Sequence, residues 1–131
     1  MMFTPIINVM VQLAKIDGKV ASTEFEFIKR IAKDNGIPES EVIKLFDDKN
    51  QKIQIGSLPE DRKFEYIYNL TKLMEVDGTI RIEEYKFCNR IANKLGYRES
   101  VLTDLIYHVQ SHKGQDRDML RIKEKARKHL I

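Results

Sequence analysis

Asp17-Gly18-Lys19-Val20-Ala21-Ser22-Thr23-Glu24 returns sixty residues later as Asp77-Gly78-Thr79-Ile80-Arg81-Ile82-Glu83-Glu84. The correspondence runs on through Phe27/Phe87, Arg30/Arg90, Ile31/Ile91, Ala32/Ala92, Gly36/Gly96, Glu39/Glu99 and Ser40/Ser100, so that ten of the 26 positions from 17 to 42 are identical. Unrelated segments of ordinary composition would share about one or two. The chain is an internal duplication, and each half must carry the same supersecondary unit.

Working outward from the paired stretch, apolar residues recur at helical spacing on its N-terminal side. Phe3, Ile6, Ile7, Met10, Leu13 and Ala14 form one such series, and Phe64, Ile67, Leu70, Leu73 and Met74 form the other. Each series is the first helix of a repeat. Asp-Gly stops it, because glycine accepts the left-handed backbone of a helix end, and a second helix restarts near Ser22 or Ile82. Thr23 followed by Glu26 is the pattern of a capping box at the first of these restarts. The second helices use Phe25, Ile28, Ile31 and Ala32, or Tyr85, Cys88, Ile91, Ala92 and Leu95, as apolar faces and stop at Gly36 and Gly96. Third helices are predicted from about Glu39 to Asp47 and from about Arg98 to His112. A last helix starts at Gln115 or Asp116, with Met119, Ile122, Ala126 and Leu130 on one side. Ile53-Gln54-Ile55 alternates like a strand but is too short to nucleate a sheet. The expected fold is all-α, a single compact domain of about seven helices over residues 1–131. It comprises repeat one (about 3–48), a link rich in turn formers (49–58), repeat two (about 59–112) and a C-terminal helix (116–130), with the repeats related by an approximate two-fold axis.

Length and composition bound the function. A chain of 131 residues with 42% hydrophobic and 33% charged residues can bury one core and is not a disordered tail. Its longest apolar runs fall far short of the ~20 residues of a membrane span, and no basic-then-apolar leader precedes them, so a cytoplasmic protein is expected. A single cysteine, Cys88, gives no internal disulfide and no zinc site by itself. The net charge of +3 is uneven: residues 111–131 hold seven Lys/Arg against three Asp/Glu, or +4, which leaves −1 for residues 1–110.

The pattern Asp-Gly-x-Val/Ile-x-x-x-Glu matches the second half of a calcium EF-hand loop. The first and third ligand positions, however, would be Leu13 and Lys15 or Leu73 and Glu75, which excludes that site type. Ala14-Lys15-Ile16-Asp17-Gly18 with Glu24 resembles instead the Ala-x-x-Asp-Gly-x-x-x-x-x-Glu signature of the TerB-like family of tellurite-resistance proteins, to which the N-terminal domain of DjlA-type co-chaperones is related. Met74-Glu75-Val76-Asp77-Gly78 with Glu84 keeps the acids and replaces the alanine by Met74. The resemblance covers roughly residues 5–112. It implies a compact helical domain of two pseudo-symmetric halves with an acidic surface that can hold a divalent cation, and it implies no enzymatic activity.

Electrostatics reaches the same residues independently. Asp17 and Asp77 fall at helix C-termini, where the macrodipole disfavours an acid by ~0.3–1 kcal/mol. Glu24 and Glu84 stand in the first turn of the following helix and can face back across the loop. Two readings stand: Asp17, Glu24, Asp77 and Glu84 are metal ligands for a divalent cation of unknown identity, or they cap helix ends.

Elsewhere, His108 and His112 share a helix face without the glutamate of a zinc protease, and two exposed histidines are expected. Phosphate loops, dinucleotide fingerprints and nucleophile elbows are absent from the sequence, and Cys88 belongs to an apolar face, so no enzyme is expected. Arg121, Lys125 and Lys128 line one side of the last helix and offer a face to phosphates or an acidic partner. The expected function is a non-enzymatic interaction module with a protein partner, in a stress-response or envelope-associated assembly as the resemblance implies. The alternatives are a divalent-cation sensor built on the paired loops and a nucleic-acid or anionic-lipid binder using the basic helix.

Overall fold

The computed structural model describes residues 4–16, 18, 20–47, 58–76, 78–112 and 119–131, and these form seven helices: α1 (Thr4–Ala14), α2 (Ser22–Asp34), α3 (Glu39–Asp47), α4 (Glu60–Glu75), α5 (Ile82–Lys94), α6 (Ser100–His112) and α7 (Met119–Arg127). The all-α expectation holds. β-type backbone pairing is confined, among the described residues, to one antiparallel bridge between Tyr97 and Leu130. Residues 49–57 of the expected 49–58 link, with Ile53-Gln54-Ile55, and the helix start at Gln115 or Asp116 lie outside the described residues.

α1 is buried on nearly every side, and α4 on all but one polar stripe through Asp61, Glu65, Asn69 and Lys72. Val9 and Val11 are as inaccessible as Ile7, Met10 and Leu13, and Tyr66 and Tyr68 join Ile67, Leu70 and Leu73. A helix that is apolar all round belongs at the centre of a domain. These two pack against each other, α1 also against α2, α3 and α5, and α4 also against α2, α5 and α6. The cross-contacts are reciprocal, since α1 touches α5 and α2 touches α4. One cluster of buried side chains draws on every helix, from Ile7, Ile28 and Val42 through Ile67, Ile91 and Leu102 to Ile122.

Local chemistry sets the helix ends. At the C-terminus of α2 the Ile37 N–H donates to the Ala32 carbonyl (2.8 Å) and the Gly36 N–H to the Lys33 carbonyl (3.0 Å). At the end of α5, Tyr97 donates to Ala92 (2.9 Å) and Gly96 to Asn93 (3.0 Å). Both are Schellman motifs, and Gly36 and Gly96 have the positive φ that they require, 77° and 93°.

The start of α2 corrects the proposed capping box. The N-cap is Ala21, and Glu24, not Glu26, is the residue whose carboxylate returns to it. Thr23 lies inside the first turn, where its hydroxyl is not at the cap position. α6 begins two residues later than expected, at Ser100, and the Arg98 N–H before it donates to the His129 carbonyl (2.7 Å). α7 ends at Arg127 rather than near Leu130, since Leu130 turns to bridge Tyr97 and the Ile131 N–H donates to the Gly96 carbonyl (2.8 Å).

Candidate functional site

Each repeat closes its first helix into the paired loop in the same way. The Gly18 N–H donates to the Lys15 carbonyl (3.0 Å) and the Gly78 N–H to the Glu75 carbonyl (2.9 Å). Their φ angles agree closely, 81° and 82°, and a Cβ at either glycine would meet nothing within 4 Å. Glycine is needed here for its backbone angle and not for space. The chain then runs extended into Ala21 or Arg81, at ψ 149° and 152°.

Of the four candidate ligands, Asp17 and Asp77 lie outside the described residues. Glu24 and Glu84 are placed, and both are buried, at 5% and 4% exposure. Glu24 Oε1 accepts the Ala21 N–H at 3.0 Å, and Glu84 Oε1 accepts the Arg81 N–H at 3.2 Å. Each carboxylate thus satisfies an amide left over at its own helix start while its charge meets the positive end of the dipole. Three or more His, Cys, Asp or Glu side chains placed to hold a metal together do not occur among the described residues.

Beside the second loop the surface is hollowed. Two adjoining depressions of about 610 and 600 Å³ share Phe27, Arg30 and Val76. One continues over Lys72, Gly78 and Val109, and the other along α2 past Ser22, Glu26 and Lys33. Together they form an open groove with an apolar floor and a charged rim, made by the exposed side of α2, the end of α4 and part of α6. The Arg30 guanidinium lies over the Phe27 ring, 5.3 Å from its centroid, and Arg90 lies over Phe87 at 5.7 Å. Cation–π contact explains why phenylalanine and arginine are repeated at this spacing. The sequence comparison contained both residues in duplicate, but only the packing of α2 on α4 turns the first pair into a groove wall.

His108 is buried, at 3% exposure, and tilted against the Tyr68 ring at 6.2 Å, which overturns the expectation of an exposed histidine. α6 packs between α4 and α7, so the stripe of Val101, Leu102 and Leu105 carries on through His108 and Val109. The His112 side chain is outside the described residues. Cys88 is fully buried, and desolvation pushes its thiol far above the ordinary range, as expected of a packing residue.

The last helix divides its cations by face. Lys123 pairs with Asp61, and Arg127 grips Glu60 through Nε (2.7 Å) and the neighbouring terminal nitrogen (2.8 Å). Arg121 and Lys125 stand instead beside Asp104, Leu105, Tyr107 and His108 of α6, and Lys128 is exposed past the helix end. His129, which carried no signal in the sequence, ties the tail down: its Nδ1 shares a proton with Ser100 Oγ at 2.7 Å and its Nε2 with Asp104 Oδ2 at 2.6 Å. No helix among the described residues is long and apolar enough to cross a membrane. No family model, no curated protein and no solved structure matches the chain.

Proposed function

We propose that this chain is a non-enzymatic helical interaction module of TerB-like type, a cytoplasmic adaptor in a stress-response or envelope-associated assembly, whose partner seats in the groove along α2. The groove carries the proposal: Phe27, Val76 and Val109 provide apolar contact, and Lys29, Arg30, Lys33 and Lys72 outnumber Glu26 and Glu75 around it. A protein segment with acidic residues flanking an apolar anchor fits that distribution. The reciprocal contacts of α1 with α5 and of α2 with α4 support a two-fold relation of the repeats, which would place a similar surface around Phe87 and Arg90.

A photo-crosslinking residue placed at Lys33 in living cells tests this against one placed at Glu41 on α3. A defined adduct is expected at Lys33, absent at Glu41 and lost when Arg30→Glu is added. Equal labelling at the two positions, or an adduct indifferent to Arg30→Glu, sinks the groove.

The buried carboxylates in both loops favour one further reading, a divalent-cation sensor using Asp17, Glu24, Asp77 and Glu84. An ion at 100 times its dissociation constant stabilises by ~2.7 kcal/mol, or a melting shift on the order of 10 °C for a chain of this size. That shift should vanish in Asp17→Asn/Asp77→Asn. Calcium, magnesium, manganese and zinc all leaving the melt unmoved identifies the glutamates as caps alone.

A further inference from the structure

A second cleft, of about 190 Å³, opens between α6 and α7, and its lining shares no residue with the groove on α2. Leu105, Ile122 and Ala126, all buried, supply apolar walls. Arg121 and Lys125 come from successive turns of α7, four residues apart and so on one face, and Tyr107 joins them from α6 with 72% of its surface exposed. The lining has one acid, Asp104, and that carboxylate is engaged by His129 at 2.6 Å.

The contrast within α7 is informative. Lys123 and Arg127 spend their charges on Asp61 and Glu60 and hold the helix to the body, whereas Arg121 and Lys125 make no ion pair with any described residue. Two cations therefore flank a partly apolar recess whose one carboxylate has an oxygen bound to His129. A hydrocarbon recess of ~150 Å³ holds benzene, so this volume suits a six-membered ring or short acyl chain plus one small charged group. It is well below the ~300–1,000 Å³ of sites for larger ligands. Arginine matches a carboxylate in bidentate geometry, and lysine beside it adds a point charge.

We infer that the α6–α7 cleft binds a small aryl or short-chain carboxylate, its apolar body against Leu105, Ile122 and Ala126 and its carboxylate on Arg121 and Lys125. The site is independent of the α2 groove. Either can fail without the other.

Benzoate is the probe, titrated into the whole 131-residue chain while methyl resonances of Leu105 and Ile122 are followed by NMR. Saturable shifts with a Kd of about 1 mM are expected, a typical strength for so few ligand atoms. Benzamide, of the same shape but uncharged, should bind at least tenfold more weakly, and so should benzoate to Arg121→Ala/Lys125→Ala. Ala126→Leu, which adds volume from the cleft wall on a good helix former, should remove both signals. Equal affinity for benzoate and benzamide would overturn the anion assignment. Displacement of benzoate by acetate or inorganic phosphate at equal concentration would show that the cations act without the apolar wall, and that too defeats the inference. Should the double variant not fold, the benzoate–benzamide ratio on the wild-type chain decides alone.

Discussion

α3 and α6 stand at the matching ends of the two sequence stretches that pair at an offset of sixty, yet they occupy different environments. α6 is thirteen residues long, packs on α4, α5 and α7, and buries Val101, Leu102, Leu105, His108 and Val109. α3 has nine residues, packs chiefly on α1 and α2 among the described residues, and fully buries Val42 alone, while Ile43 remains 45% exposed. The cause lies outside both helices. Repeat two is followed by α7, which covers the outer side of α6, and repeat one has no such cover among the described residues. The paired sequence is common to both halves, and the helix that follows the second of them makes their surroundings unequal.

The largest effect that can test this contrast uses a pair of identical residues. Leu105 and Leu45 stand sixty positions apart in the two copies, but Leu105 is buried under α7 and Leu45 is only half-buried. Leu105→Ala should cost about 3 kcal/mol in urea unfolding and Leu45→Ala about 1 kcal/mol. Equal losses would mean that α7 does not distinguish the halves.

Where the copies are alike, substitutions should be alike. Gly36→Ala and Gly96→Ala each force a side chain into a left-handed Schellman position and should each cost about 1 kcal/mol, measured in the same unfolding series. A much smaller loss at one of them would show that its cap relaxes and that the repeat is not equivalent there.

Tyr97 occupies the place of Ile37 and is wholly buried, with no hydrogen-bond partner for its hydroxyl among the described residues. Tyr97→Phe removes that hydroxyl and should leave stability unchanged or raise it by up to about 1 kcal/mol. Burial first, and the nearby Glu60 second, push the phenol up to about 12. The unfolded phenol titrates near 10, so the folded chain holds the proton more tightly and stability must fall as pH rises through this interval. Thermal melts of Tyr97→Phe should lose part of that alkaline decline.

The smallest effect concerns the clamp that fastens α7. Hydrogen bonding from Arg127 holds the Glu60 carboxyl below the usual carboxylate range. Its contribution is therefore present above an unfolded value of about 4.3 and lost as pH falls through the lower folded one. Arg127→Ala should be slightly less stable than wild type at pH 7 and low salt. The difference should shrink in high salt and disappear once Glu60 is protonated, because the pair is exposed and screened.

Much of this was legible in the amino-acid sequence because it depends on neighbours along the chain. Helix periodicity, the glycines that end α2 and α5, and the duplicated loop with its glutamate three residues into the next helix are all set within a turn or two of backbone. The capping box differs in its partners, since Thr23 is the stronger cap former in isolation while Ala21 holds the extended geometry that lets Glu24 return to its amide. Questions of what lies opposite a helix could not be answered locally. An alternating pattern marks which residues share a face, but it does not say whether that face meets water, another helix or a ligand. The burial of α1, the enclosure of His108, the anchoring of the tail by His129 and the division of α7's cations between clamp and cleft follow from contacts between residues remote in sequence, such as Asp104 with His129 and Glu60 with Arg127. Only the packed chain brings such residues together, because burial and ion pairing are properties of spatial neighbours.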